Sequence, residues 1–139
     1  MKVLLAVDRL MTGRVMAAFI GSHAWPNKTV FRIMHTIEPI RLESIDRGLI
    51  AIEKRNRAET MVSKIMESIR DRCPDTKVES KVVVGPPREA VLAMAGRWHA
   101  DLVMVGSSDK KDQKSACSSQ QRFYRNSISM FLLGFDCSR

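Results

Sequence analysis

The chain has 139 residues, 45% hydrophobic and 27% charged, a balance typical of one soluble globular domain with a sizeable core. No apolar run reaches membrane-spanning length, and the short apolar stretch after Lys2 does not form a signal peptide. Three widely spaced cysteines argue against a disulfide framework and favour a reducing compartment, so we expect a cytoplasmic protein. The net charge of +8 comes from dispersed Lys and Arg with few aromatic residues between them, which disfavours nucleic-acid binding as the main role.

The first part of the chain alternates between strand and helix patterns. An apolar run from residue 1 that ends in Asp8 predicts the first strand. Residues 10–23 carry apolar side chains at helical spacing and predict an amphipathic helix. Residues 29–37 are β-branched and aromatic and predict the second strand, which Glu38 and Pro39 end.

The alternation continues with a long helix. Apolar residues between 58 and 69 repeat at spacings of three and four, although Gly48 leaves open a separate loop or short helix over residues 41–52. A third strand is predicted over residues 76–84, and Pro87 suits the first turn of a third helix.

The fourth strand is predicted over residues 100–107, where an apolar run is entered from an Ala-Asp pair and leaves into Gly-Ser, a pattern typical of a strand buried on both faces. Alternating strands and helices with short connections predict parallel strands and a three-layer α/β sandwich. Beyond it, residues 107–114 are polar and predict a loop, residues 115–126 show a weak helical pattern, and residues 128–133 predict a fifth strand. We expect one domain over residues 1–139.

Ligands of open α/β sheets bind at the carboxyl ends of the strands, which makes Asp8 and Gly106 candidate site residues. Asp8 has two interpretations: a cap or turn residue before the first helix, or a polar contact to a ligand. His35 stands alone in an apolar strand, and such a histidine is more often a hydrogen-bonded structural residue than a ligand. The histidines and cysteines lack metal-ligand spacing, and no catalytic constellation is recognisable.

Four stretches together resemble the universal stress protein family: residues 2–8, residues 33–36, Gly85-x-Pro87, and residues 100–107 with the sequence Ala-Asp-Leu-Val-Met-Val-Gly-Ser. The resemblance covers about three quarters of the chain, and residues 107–139 diverge from it, with partial disorder as one expectation. It implies an adenine nucleotide alpha-hydrolase-like fold with a five-stranded parallel sheet in the order 3-2-1-4-5. It also implies a cytoplasmic homodimer induced under stress.

One branch of that family binds ATP through an aspartate after strand one, backbone near the end of strand two, and a Gly-x-x-Gly-x9-Gly-(Ser/Thr) signature after strand four. The resemblance therefore marks Asp8, Gly106 and Ser107 as nucleotide-binding candidates, with ATP and Mg²⁺ as the implied cofactor. After Gly106 the pattern fails, because Asp109 occupies the position of the second glycine and Ser119-Gln120 that of Gly-Ser. A carboxylate there would repel a triphosphate.

Three functions stay open at this point. The first is a non-catalytic homodimeric binding or regulatory module of the stress response. The second is an ATP-binding member of the family that switches with nucleotide or hydrolyses it slowly. The third, and weakest, is a basic module associated with nucleic acid. The degraded glycine signature favours the first.

Overall fold

A mixed β-sheet forms the middle layer of the protein, whose computed structural model describes residues 1–39, 47–106, 121–124 and 128–132. Its strands are β1 (Lys2–Ala6), β2 (Val30–Ile37), β3 (Lys77–Val84), β4 (Leu102–Gly106), β5 (Gln121–Tyr124) and β6 (Ile128–Leu132). The helices are α1 (Leu10–Gly21), α2 (Arg47–Arg72) and α3 (Pro87–Trp98). In the described part of the chain, no helix is long and apolar enough to cross a membrane.

The predicted parallel core of the sheet is confirmed. The strands lie in the order β3-β2-β1-β4, and each pairs in parallel with its neighbour. β1 lies between β2 and β4, with Leu5 opposite both Ile33 and Met104. Because these strands run in the same direction, their carboxyl ends meet at one edge of the sheet.

The expected fifth parallel strand beside β4 is wrong. β6 takes that place and runs antiparallel to β4, and β5 pairs antiparallel with the outer side of β6. The short connection between β5 and β6 accounts for their antiparallel pairing, because it suffices for a hairpin but not for a parallel crossover. The helix expected over residues 115–126 is contradicted at 121–124, which form β5. The loop expected over residues 107–114 lies outside the described residues.

The core is divided between the two faces of the sheet. Alternate residues of the central strands point to opposite faces, since side chains alternate along a strand. On one face α1 and α2 cover the larger cluster, which includes Val3, Leu5, Ile33 and Met104. On the other face α3 covers a smaller cluster that contains Leu4, Met34 and Val103. The apolar run of β4 is therefore buried from both sides, as predicted.

α2 is one continuous helix that begins at Arg47. Gly48 lies inside this helix. The separate loop or short helix considered for residues 41–52 is therefore excluded from Arg47 onward. The packing of the rest of the helix has overridden the low helix propensity of glycine. Its apolar stripe, as predicted, is buried against α1 and the sheet at Ala58, Val62, Ile65 and Ile69.

A cluster of polar and aromatic side chains fixes α3 to the opposite face of the sheet. Nε and one terminal nitrogen of the Arg32 guanidinium donate to Oε2 of Glu79 at 3.0 and 2.7 Å. The same guanidinium lies 4.3 Å from the centre of the Trp98 ring, a cation–π contact. Lys2 donates from Nζ to the Trp98 carbonyl at 3.1 Å, which ties the end of α3 to the start of β1.

Candidate functional site

A cleft of about 370 Å³ lies at the carboxyl ends of β1 and β2, beneath the first half of α2. This is the edge of the sheet where α/β proteins place their ligands. Among the described residues its lining comes from the end of β1, the end of β2 and α2. We call it the β1–β2 cleft, and its chemically important residues are Asp8, His35, Glu38, Lys54, Arg57 and Met61.

Asp8 is positioned by the end of β1 and does not cap the helix that follows. The N-cap of α1 is Arg9, and its side chain makes no capping hydrogen bond. The carboxylate of Asp8 is 48% exposed, and its ion pair with Arg9 has a long N–O distance of 3.9 Å. Asp8 is therefore not the N-cap residue of α1, and a contact of its carboxylate to a ligand stays a prediction.

His35 joins the ends of the two strands that form the floor of the cleft. Its Nδ1 lies 2.8 Å from the carbonyl oxygen of Val7, and the amide of Val7 donates to the Met34 carbonyl at 2.9 Å. The prediction that His35 is a hydrogen-bonded structural residue is therefore confirmed. These bonds also hold the backbone immediately before Asp8 in place.

The α2 wall of the cleft carries two cations above two apolar residues. Lys54, Arg57, Ala58 and Met61 follow the spacing of one helical face, so all four can border the same space. Ala58 is buried and Met61 half-buried, whereas Lys54 and Arg57 are exposed. Arg57 also donates to Oε1 of Glu53 one turn earlier, at 2.5 Å.

The cleft thus has an acidic side and a basic side. Asp8 lies two residues after β1 and Glu38 directly after β2, and the two cations line the same cleft from α2. Sequence analysis identified Asp8 but missed Glu38, Lys54 and Arg57. Glu38 could have been found, because it follows its strand just as Asp8 follows β1, but α2 offers many similar charged residues.

Gly106 does not line this cleft. It ends β4, and a Cβ atom placed on it would lie 1.7 Å from Cγ2 of Thr12 in α1. Glycine is required here because α1 approaches the strand too closely for a side chain. The structure therefore gives Gly106 a packing role. Because Ala6 pairs with Val105, Gly106 lies on the strand beside β1 at about the level of Val7, and its part in nucleotide binding stays a prediction. Ser107 lies outside the described residues.

Metal binding finds no support in the described ranges. Within residues 1–39 and 47–106, no group of three or more His, Cys, Asp or Glu side chains is arranged to hold a metal ion. His23 lies at the far end of α1, where its ring stacks on Phe19 at a centroid distance of 4.1 Å.

Solved structures with the same fold are similar to this chain at low identity. The hypothetical protein MJ0577 shares 20% identity with a TM-score of 0.65, over 83% of this chain and 80% of that one. UspA of Lactobacillus plantarum shares 10% identity with a TM-score of 0.56, over 83% and 82%. A universal stress protein from Archaeoglobus fulgidus shares 15% identity with a TM-score of 0.53, over 79% and 77%.

The sequence itself carries the family signal. No curated protein matches the chain. The model of the universal stress protein family, however, matches residues 1–132, nearly the whole length. The four stretches that suggested this resemblance fall on β1, β2, the start of α3 and β4. The chain belongs to the universal stress protein family.

Proposed function

We propose that the protein is a cytoplasmic, homodimeric module of the stress response that acts by binding a small molecule in the β1–β2 cleft, without catalysing a reaction on it. The observation that carries this proposal is the cleft itself. It lies at the ligand-binding edge of the sheet, and Asp8 presents a carboxylate there that α1 does not use for capping.

The structure of the cleft suits binding better than chemistry. Its volume of about 370 Å³ falls at the lower end of the range of roughly 300–1,000 Å³ that small-molecule sites occupy. The one histidine on its floor is engaged with the Val7 carbonyl at 2.8 Å. The sequence offers no catalytic constellation in which this histidine would take part.

The two outermost strands of the sheet support the proposal of a homodimer. β3 and β5 are the outer strands of the described sheet, and an outer strand offers unpaired backbone groups to a second chain. Light scattering on the purified protein tests this part of the proposal, which predicts twice the monomer mass of 15.7 kDa and would be refuted by a monomer at micromolar concentration.

The second candidate function is ATP binding with nucleotide-dependent switching or slow hydrolysis. Asp8 favours it, because a carboxylate after β1 can accept hydrogen bonds from ribose hydroxyls. Asp8 and Glu38 are also oxygen donors of the kind that Mg²⁺ prefers, so the cleft residues fit this cation chemically. The sequence after Gly106 speaks against a phosphate loop of the usual kind, because Asp109 occupies the position of the second glycine.

A thermal-shift experiment distinguishes these functions. ATP, AMP and adenosine are added, each with and without Mg²⁺, to the native protein, to Asp8→Asn and to a control, Asp75→Asn. Asp75 is an exposed carboxylate in the turn before β3, away from the cleft. Stabilisation of the native protein and the control, reduced in Asp8→Asn, supports adenine-nucleotide binding. Equal stabilisation of all three proteins would refute the role of Asp8.

A further inference from the structure

We propose that the protein forms its homodimer through β3, which pairs antiparallel with β3 of a second copy around a two-fold axis at Ser80. This inference rests on the proposed function, because it assigns an interface to the homodimer proposed there. The sheets of the two copies then continue into one another across this edge.

β3 is long and regular for a strand at the edge of a sheet. It spans Lys77–Val84 without a proline or a glycine, and among the described residues its only strand partner is β2. Natural proteins commonly keep an edge strand from pairing by making it short or by placing a proline on it. At the other edge of the described sheet, β5 has four residues against the eight of β3. β3 therefore offers twice the length for pairing.

The hydrogen bonds of β3 show which of its backbone groups face outward. Gly85, immediately after the strand, donates from its amide to the Ile37 carbonyl of β2 at 2.9 Å. Successive residues of a strand direct their N–H and C=O groups to opposite sides, so the odd-numbered residues of β3 bond to β2. The amides and carbonyls of Val78, Ser80 and Val82 therefore lie on the open side, where a second strand can bond to them.

These outward groups restrict how two copies can pair. In an antiparallel pair, residues that exchange both hydrogen bonds lie directly opposite each other, so each outward residue must face another outward residue. With the axis at Ser80, the two copies of this serine face each other, and Val78 faces Val82 of the partner subunit. The proposed register therefore satisfies the requirement along the strand.

The charges on β3 select this register over its neighbours. With the axis at Ser80, Glu79 lies opposite Lys81 of the partner subunit, and symmetry repeats this attractive pair. A shift of the axis by one residue in either direction places two Glu79 carboxylates or two Lys81 ammonium groups opposite each other, which is unfavourable. The sequence Val-Glu-Ser-Lys-Val over residues 78–82 is thus self-complementary in the antiparallel direction.

Both members of the charge pair are available for it. Glu79 is 29% exposed, and the Arg32 guanidinium holds its Oε2 at 3.0 and 2.7 Å. Lys81 is exposed and forms no ion pair within residues 1–39 and 47–106. Lys77 lies 3.3 Å from Oε1 of Glu79, but its side chain is 70% exposed and such a pair is weak, so it can give way to Lys81 of the partner subunit.

Valines meet across the same junction on the other face of the sheet. Val78 is buried in the cluster beneath α1 and α2, and Val82 packs against that cluster while half-buried. The proposed register places each Val78 beside Val82 of the partner subunit on this face. The apolar layer of one copy therefore continues into that of the other.

Sedimentation velocity at physiological ionic strength tests the interface with two variants and a control for each. Ser80→Pro removes an outward amide and places a ring in the junction, whereas Ser80→Ala keeps the amide. The monomer tolerates this proline, because the lost amide does not bond to β2. Lys81→Glu creates a pair of facing carboxylates at each charge pair, and Lys64→Glu makes the same charge change at an exposed position of α2. If circular dichroism shows that Ser80→Pro does not fold, Lys81→Glu serves alone.

We expect the native protein and both controls to be dimers, and each folded interface variant to raise the dimer dissociation constant at least about tenfold. Unchanged dimer affinity in the folded variants would overturn β3 as the interface and leave the proposed homodimer standing. Weakening by Ser80→Pro without any effect of Lys81→Glu would overturn the register. A native protein that is monomeric at micromolar concentration would overturn the homodimer itself, and a strand of a different protein would then be the alternative occupant of this edge.

Discussion

At the scale of single residues, two glycines set how closely α1 approaches its neighbours. A Cβ on Gly13 would lie 2.2 Å from Cδ1 of Ile65 in α2, and one on Gly106 would lie 1.7 Å from Cγ2 of Thr12. Distances this short force side chains or backbone to move. Because α1 begins two residues after Asp8, its placement also affects where the candidate site lies.

Gly106→Ala should destabilise the protein by about 1–3 kcal/mol, the usual cost of overpacking a close contact. Thr12→Ser removes the offending methyl group, so the double variant Gly106→Ala/Thr12→Ser should recover much of the loss in urea unfolding. Gly96→Ala is the matched control. Its added methyl meets no atom within 4 Å inside α3, and the change should stabilise by about 0.5–1 kcal/mol. Equal losses in the single and double variants would contradict the packing role.

Glu79 makes stability depend on pH. The hydrogen bonds from Arg32, aided by Lys77, lower the pKa of its carboxyl below the ordinary value of 4.5, although partial burial opposes the shift. A lowered folded-state pKa contributes stability that is fully present above 4.5 and is lost as the pH falls through the folded-state value.

Unfolding in urea between pH 7 and pH 3 checks this dependence. Native protein should lose stability below pH 4.5 more steeply than Glu79→Gln, in which no carboxyl titrates at this site. At pH 7 the variant should itself be less stable, because it leaves the Arg32 guanidinium without its carboxylate. Parallel pH profiles for the two proteins would show that the pair does not contribute.

At the scale of elements, α2 contributes both to the core and to the site. Its buried stripe holds the helix on the sheet, while Lys54 and Arg57 project beside the cleft from the same helix. The position of the two cations of the cleft therefore depends on the packing of residues up to four turns away.

Ile69→Ala should cost about 2–5 kcal/mol, since Ile69 is fully buried and its removal leaves a cavity. The control is Ile52→Ala on the same helix, where the side chain is 58% exposed and the change should cost less than about 0.5 kcal/mol. Chemical denaturation measures both. Similar losses in the two variants would contradict the assignment of the buried stripe.

Most helices and strands could be predicted because the spacing of apolar residues along the sequence reflects which side chains are buried. The stripe of α2 and the doubly buried run of β4 each produce a pattern that needs no knowledge of the rest of the fold. The direction of β6 could not be predicted in this way. An apolar strand pattern is the same in parallel and antiparallel pairing, so the pattern of β6 does not show that it runs antiparallel to β4.

At the scale of the whole molecule, the candidate site arises from segments that are distant in sequence. Asp8 follows β1, Glu38 follows β2, and Lys54 lies on α2. Asp8 could be predicted as a site residue from its place after an apolar strand. The cations could not, because α2 carries charged residues along its exposed face and only the fold shows which of them border the cleft.

Gly106, by contrast, was singled out by the sequence, and the structure offers another reason for it. Its place at the end of β4 and its match to a family motif indicated phosphate binding, yet the packing of Thr12 explains why the residue is glycine. Sequence patterns cannot separate these causes, since both require an absent side chain. The proposed function therefore rests on the cleft and its charges rather than on the glycine motif.

The central claim is that the protein binds a small molecule in the β1–β2 cleft. The most direct test is to purify the protein natively, release bound molecules with acid, and identify them by mass spectrometry, with Asp8→Asn as the comparison. We predict a stoichiometric small molecule in the native protein and less of it in the variant. A native protein that is folded and yields no small molecule, and that neither ATP, AMP nor adenosine stabilises, would contradict the claim.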